Sequence, residues 1–216
     1  MWVKICGLTS AADARAAVGA DALGFVFARS SPRYLPRHSP NWHEWVSALH
    51  HATRVLVLTA PEELPVQWRC FDALQWVTLP DATPTPELLR WLPELPLWIA
   101  FRLPPTLAVG EVLRLMEQWT PYAERFVLDT YHPAQQGGTG LTHDWQRAAA
   151  ICAAAPKPTV LAGGLTPENV ASAIQAVRPA GVDVSSGVES APGRKDPEKV
   201  RAFIHAAKTA LGGARG

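Results

Sequence analysis

The chain of 216 residues is 48% apolar and 18% charged, with a formal net charge of +1. This is the balance of a globular protein long enough for one full core, and one domain over 1–216 is expected. It excludes a disordered or fibrous chain and a basic field for nucleic acid, so any anionic ligand must be gripped by local geometry.

Short apolar, β-branched runs alternate along the chain with Ala-rich amphipathic stretches. Residues 3–5 read as a first strand and 11–18 as a helix ended by Gly19. Asp21-Ala22-Leu23-Gly24-Phe25-Val26-Phe27 is a second strand with almost no polar alternation, as expected where both faces are covered. A helix follows over 41–51, with Trp42, Trp45, Val46 and Leu49 at helical spacing. Residues 55–58 and 73–77 give strands three and four, 86–92 a helix, and 97–101 a fifth strand. The next helix, Val109–Trp119, sets Val112, Leu115, Met116 and Trp119 on one face. Residues 125–128 form a sixth strand that ends at Asp129, before a Gly-rich loop reaching Gly140, and 144–154 is helical. Thr159–Ala162 is the seventh strand, closed by Gly163-Gly164. Thr166 then caps a helix with Pro167 at its first position, and Asn169 stands where Glu or Gln would complete a capping box. Residues 182–185 make the eighth strand, and Asp196-Pro197 opens a closing helix through Val200, Phe203 and Ile204.

Eight β–α alternations of about 27 residues each predict a single (β/α)8 TIM barrel, lean for a fold that typically takes ~250 residues. An open doubly wound sheet is the competing architecture, and the lack of GxGxxG after the first strand weighs against it. Cys6, Cys70 and Cys152 are far apart, with no CxxC or Cys/His ligand spacing, so neither a metal site nor a disulfide framework is expected. That usage fits a reducing cytoplasm. No apolar run approaches the ~18 residues of a membrane helix, and residues 1–5 are too short for a signal sequence.

In a parallel barrel the C-terminal ends of the strands line the active site. That rule selects Cys6, the 29–34 loop, Asp129, the Gly137-Gly138-Thr139-Gly140 loop, Gly163-Gly164 and Ser185-Ser186-Gly187. The glycines after strands seven and eight either make tight turns or let backbone N–H groups approach a phosphate, and barrels often hold phosphate at that place. Cys6 is either a small buried hydrophobe or a pocket thiol whose pKa is lowered by nearby helix termini and phosphate-site donors. Asp129 either caps its loop or serves as a functional acid. Arg33, stiffened by Pro32, is either a solvated loop residue or a planar fork for a carboxylate.

Taken together, these segments resemble the phosphoribosylanthranilate isomerases of tryptophan biosynthesis. The similarity lies in Lys4-Ile5-Cys6-Gly7-Leu8-Thr9, Ala22-Leu23-Gly24-Phe25-Val26-Phe27, Ser31-Pro32-Arg33-Tyr34 and Val127-Leu128-Asp129-Thr130 with Gly137-Gly138-Thr139-Gly140. It continues in residues 161–170, in Gly181-Val182-Asp183-Val184-Ser185-Ser186-Gly187-Val188-Glu189, and in Pro192-Gly193 and Lys195-Asp196. One departure stands at the fourth strand, where the family usually carries Gln-Leu-His-Gly and this chain reads Gln75-Trp76-Val77-Thr78.

The resemblance implies an Amadori rearrangement of N-(5-phosphoribosyl)anthranilate, an aminoaldose, to the 1-deoxyribulose 5-phosphate aminoketose. Asp129 is then the general acid that opens the furanose ring, and Cys6 the general base that takes the C2′ proton. Arg33 holds the anthranilate carboxylate. Gly137 and Gly138 border the substrate, Gly163, Gly164, Ser185, Ser186 and Gly187 hold the phosphate, and Asp183 lies close by. No metal or cofactor is implied, and the partner is a small sugar phosphate handled in the cytoplasm by a monomer or homodimer, with no nucleic acid and no membrane. The histidine-pathway isomerase of the same chemistry is the nearest rival, but that family has an aspartate in place of Cys6. A catalytically silent sugar-phosphate-binding barrel is the alternative from another class.

Overall fold

Strands covered on both faces need crossover connections that carry helices. Here each connection between barrel strands has an α-helix except that from Leu58 to Ala73, which has only two 3-10 turns, Pro61–Glu63 and Trp68–Cys70. A computed structural model describes residues 1–78, 82–104, 106–129 and 142–211. The strands are β1 (Trp2–Cys6), β2 (Ala22–Val26), β3 (Thr53–Leu58), β4 (Ala73–Thr78), β5 (Leu97–Arg102), β6 (Ala123–Asp129), β7 (Thr159–Ala162) and β8 (Gly181–Val184). They close into a parallel barrel in chain order. The open-sheet alternative fails at the seam, where β8 pairs with β1 from Trp2↔Gly181 to Ile5↔Val184. Helices α1 (Ala11–Ala16), α2 (Leu35–His38), α3 (Trp42–Ser47), α4 (Pro86–Trp91), α5 (Val109–Trp119), α6 (Thr142–Ala154), α7 (Val170–Val177) and α8 (Pro197–Thr209) lie in the connections.

Side chains alternate along each strand, and the two faces differ in size. Outward residues such as Ile5, Phe25, Leu56, Phe101 and Phe126 join Val46, Met116, Trp119, Ile174 and Phe203 of the helices in one large core. Many inward residues are small, because eight strands leave little space inside, and the large ones are concentrated at the N-terminal end. They form two groups, Cys6, Ala22, Val55, Val57, Ala73 and Trp98 on one side and Ala100, Val127, Val160 and Ala162 on the other. At the N-terminal end the interior is plugged by Trp2 and Trp98, edge to face at 5.5 Å. The Arg125 guanidinium packs on both rings, 4.7 Å and 4.6 Å from their centroids.

Several helix boundaries differ from the expectation. α3 stops at Ser47, whose hydroxyl donates to the His43 carbonyl at 2.6 Å and competes with continuation of the helix. α7 begins at Val170, after a turn in which the Thr166 carbonyl accepts from Asn169 N and Val170 N. The Asn169 side chain nonetheless accepts from Thr166 N–H at 2.8 Å, so an Asn supplies the half of the capping box expected of Glu or Gln. α8 starts as expected, with Asp196 accepting from Glu198 N and Lys199 N. Two elements had no sequence expectation: α2, and an antiparallel pair β9 (Glu189–Ala191) and β10 (Arg194–Lys195) beyond β8.

The Trp2–Arg125–Trp98 plug gives a stability prediction. Arg125→Ala should cost about 2 kcal/mol, the sum of a partly desolvated cation–π contact and the packing of the arginine stem. Arg125→Met should cost roughly half as much, since the stem is retained. Urea denaturation monitored by tryptophan fluorescence checks both, and equal losses in the two variants would refute the cation–π contribution.

Candidate active site

Two-residue periodicity carries Trp2, Lys4 and Cys6 inward on β1, and the register fixes what each one meets. Lys4 is paired at Cα with Asp183 on β8, and Cys6 with Gly24 on β2. Lys4 is completely buried, and its Nζ donates to Asp183 Oδ2 at 2.7 Å. Cys6 lies two residues further along the same face of the strand, close enough for the lysine and the thiol to influence each other's ionisation. Burial works against the charge of Lys4, but Asp183 and Cys6 more than offset it, so the lysine holds its proton more tightly than usual.

Above this layer a cavity of about 540 Å³ opens at the C-terminal ends of the strands. Its lining brings together Cys6, Arg33, Asp129, Gly163, Gly164, Asp183, Ser185, Ser186 and Gly187. Every sequence-predicted site residue among those described is therefore on one cavity. Gly137 and Gly138 lie outside the described residues. Val26, Val57, Val77, Ala100, Val127 and Ala162 supply an apolar wall. Val77 stands in register with the histidine of the family's usual fourth-strand motif, so this wall has a branched aliphatic side chain at that position.

The two proposed proton carriers have different surroundings. Burial pushes the Asp129 carboxyl above the ordinary range, and Arg102, 3.9 Å away at the matching register position on β5, pulls it partly back. Burial also pushes the Cys6 thiol up, opposed by Lys4 and Lys195 and assisted by Asp183. This corrects the expectation of a lowered thiol pKa. The helix termini invoked for it are not what surrounds the sulfur; a dry β-barrel interior is.

Arg33 is also more engaged than expected. Its Nε and Nη2 donate to the two oxygens of Glu189 at 2.6 Å and 2.7 Å. The fork edge expected to meet a ligand carboxylate is thus spent on a protein carboxylate. Glu189 also accepts from Lys195 Nζ at 3.0 Å, and Lys195 donates again to the Ser185 carbonyl at 3.0 Å. Despite its burial, Glu189 is held below the ordinary carboxylate range by these two cations.

Glu189, Lys195, Arg102 and Gln75 were not singled out from the sequence. Lys4 enters the sequence analysis only as the first residue of a family motif, although period-two alternation already puts it on one face with Cys6. Among the described residues, buried Asp183 Oδ1 and Gln75 Oε1 have no hydrogen-bond partner. No group of three or more His, Cys, Asp or Glu is placed to hold a metal ion among the described residues, and no helix there is long and apolar enough to cross a membrane.

Known proteins agree with this architecture. The family described as N-(5'phosphoribosyl)anthranilate (PRA) isomerase matches residues 3–206. An N-(5'-phosphoribosyl)anthranilate isomerase of Trichlorobacter lovleyi is 44% identical over 214 residues, covering 97% of this chain and 98% of the relative. The crystal structure of phosphoribosyl anthranilate isomerase from Thermotoga maritima superposes with a TM-score of 0.77 at 34% identity, covering 96% of this chain and 98% of the other. A second structure of such an isomerase, in complex with reduced 1-(o-carboxyphenylamino)-1-deoxyribulose 5-phosphate, gives 0.75 at 32% identity with the same coverage.

The two glycine loops after β7 and β8 touch each other. A Cβ at Gly187 would overlap the carbonyl oxygen of Leu165, so only glycine allows this approach. Gly187→Ala should push the loops apart, with an overpacking cost of about 1–3 kcal/mol. Affinity for a phosphate-bearing ligand should fall at least tenfold, as read by calorimetric titration with a sugar phosphate. Undiminished affinity would remove these loops from the phosphate site.

Proposed function

Because the chain belongs to the N-(5'-phosphoribosyl)anthranilate isomerase family, we propose that Asp129 and Cys6 are the acid and base of its aldose–ketose rearrangement. The chain is an isomerase of tryptophan biosynthesis; the assignment of roles to its residues is our reading. The observation that carries it is that Cys6 and Asp129 line one cavity, whose remaining walls offer two glycine loops and the Arg33 guanidinium.

The substrate's phosphate is placed against Gly163-Gly164 and Ser185-Ser186-Gly187, where backbone donors can approach closely. Its aromatic ring meets the aliphatic wall of Val26, Val57 and Val77, with the carboxylate toward the open side of Arg33. Phosphate and carboxylate then fix both ends of the molecule, which converts proton transfer into an intramolecular step. Asp183 Oδ1 is the acceptor available to a sugar hydroxyl.

Asp129, whose carboxyl burial pushes up from the ordinary range, gives its proton to the furanose ring oxygen as the C1′–O bond breaks. The nitrogen lone pair moves in and a Schiff base forms. Cys6, as thiolate, takes the C2′ proton, and the electron pair of that C–H bond neutralises the iminium to give an enolamine. Tautomerisation of the enol to the ketone, with protonation at C1′, completes the aminoketose.

Cys6→Ala and Asp129→Asn should each lower kcat by roughly 10²–10⁴-fold with the fold intact. The loss of phosphoribosylanthranilate fluorescence reads the rate, and near-normal turnover in either variant removes that residue from its role. Arg33→Ala should raise KM with a smaller effect on kcat, the signature of lost binding. If Arg33→Ala weakens a plain sugar phosphate as much as the carboxylate-bearing substrate, the carboxylate role is wrong.

A further inference from the structure

A base must be deprotonated to act, and the barrel interior opposes deprotonation of Cys6. Something in the fold must compensate if the thiol is to serve. Among the described residues, four charged groups act on it: Lys4 from its own strand, Asp183 from β8, Lys195 from β10 and Arg33 from the loop after β2. β2 itself presents only Gly24. Arg33 is bonded to Glu189, and Lys195 to Glu189 and the Ser185 carbonyl. Lys4, bonded to Asp183 Oδ2, is the cation that lies beside the sulfur on the same strand face, both bordering the space at Gly24.

The fold makes room for this contact. Lys4 and Cys6 are two apart on one strand, so both side chains enter the barrel one above the other. A Cβ at Gly24, the register partner of Cys6, would stand 2.7 Å from Cys6 Sγ and 3.1 Å from Lys4 Cε. Glycine at that position leaves the space that lysine and thiol share. Stability gives little reason for the lysine, since a buried ion pair is often no better than apolar side chains of similar volume.

We infer that Lys4 is a positioning residue for the reaction, the counter-ion that stabilises the Cys6 thiolate, and that Asp183 tempers it by competing for the same ammonium. This rests on Cys6 as the base. In the resting site the Lys4–Asp183 pair is neutral and Cys6 is a thiol. When Cys6 is ionised the ammonium lies between two anions and bonds to both. After the thiolate takes the C2′ proton, the lysine returns to Asp183 alone, and no charge is left without a partner at either stage.

The two partners of the lysine should therefore shift the thiol in opposite directions. Removing the cation by Lys4→Met raises the Cys6 pKa; removing the competing anion by Asp183→Asn lowers it. The pH dependence of Cys6 alkylation by iodoacetamide, followed by mass spectrometry on substrate-free protein, reads this without catalysis. The Lys4→Met midpoint should rise by at least one pH unit, a tenfold smaller thiolate fraction at any pH below it, and that of Asp183→Asn should fall. An unchanged midpoint in Lys4→Met, or shifts of the same sign in both variants, overturns the inference. If Lys4→Met does not fold, the isosteric Asp183→Asn decides alone: a fall supports the counter-ion and an unchanged or raised midpoint overturns it. Turnover by Cys6→Ala would sink the base assignment instead, whatever the alkylation midpoints show.

Discussion

A charge inside a parallel barrel has no water to hold it, and its neighbours must do so. Here that constraint falls on the seam where the first strand meets the last. Lys4 and Asp183 are register partners across β1 and β8, and their 2.7 Å contact closes the ring electrostatically at the place where the backbone closes it. The layer below is a tryptophan–arginine plug, and the layer above is the cavity. Cys6 can occupy its position because Lys4 lies under it and Gly24 leaves space beside it. Loss of either member of the pair would strand the other in a dry interior, so the seam fixes both the fold and the electrostatics of the site.

The rim is tied together by a second charged group. Glu189 accepts from Arg33, which faces the proposed carboxylate end of the cavity, and from Lys195, which also holds the Ser185 carbonyl in the proposed phosphate loop. One carboxylate thus sets the distance between two binding elements that come from opposite ends of the sequence. The β9–β10 pair carries it, and the same hairpin is anchored to the loop after β1 through Thr9 Oγ1, which donates to the Gly193 carbonyl at 2.6 Å. Preorganisation of this kind lowers the ordering cost of binding.

The barrel was legible because eight apolar runs spaced by amphipathic stretches leave few alternatives, and the strand-end rule then picked out Cys6, Asp129 and the glycine loops. What the sequence concealed is relational. Lys4 looks like an ordinary early lysine until register sets it against Asp183, 179 residues away. Arg33 reads as an open fork until β9 delivers Glu189 to it. The thiol's environment was misjudged because helix termini are visible in a sequence, whereas the dryness of a barrel interior emerges only when all eight strands close. The cap at Asn169 was undervalued for a local reason: its shorter side chain still reaches the Thr166 N–H because the turn there is tight.

Burial has opposite consequences for an acid and a base that are neutral when protonated. It favours the protonated carboxyl and so suits the proposed role of Asp129 as a donor, opposed among the described residues by Arg102 and Lys4. It favours the protonated thiol as well, and so hinders Cys6 as an acceptor. Burial at the same cavity therefore suits one proposed role and opposes the other, and the fold meets that asymmetry unequally. The β5–β6 side of the rim, which carries Asp129, remains partly open to water, while the β1–β8 side, which carries Cys6, has a lysine buried beneath it. On the proposed roles, the buried lysine lies beside the group that burial hinders, and not beside the one that burial helps.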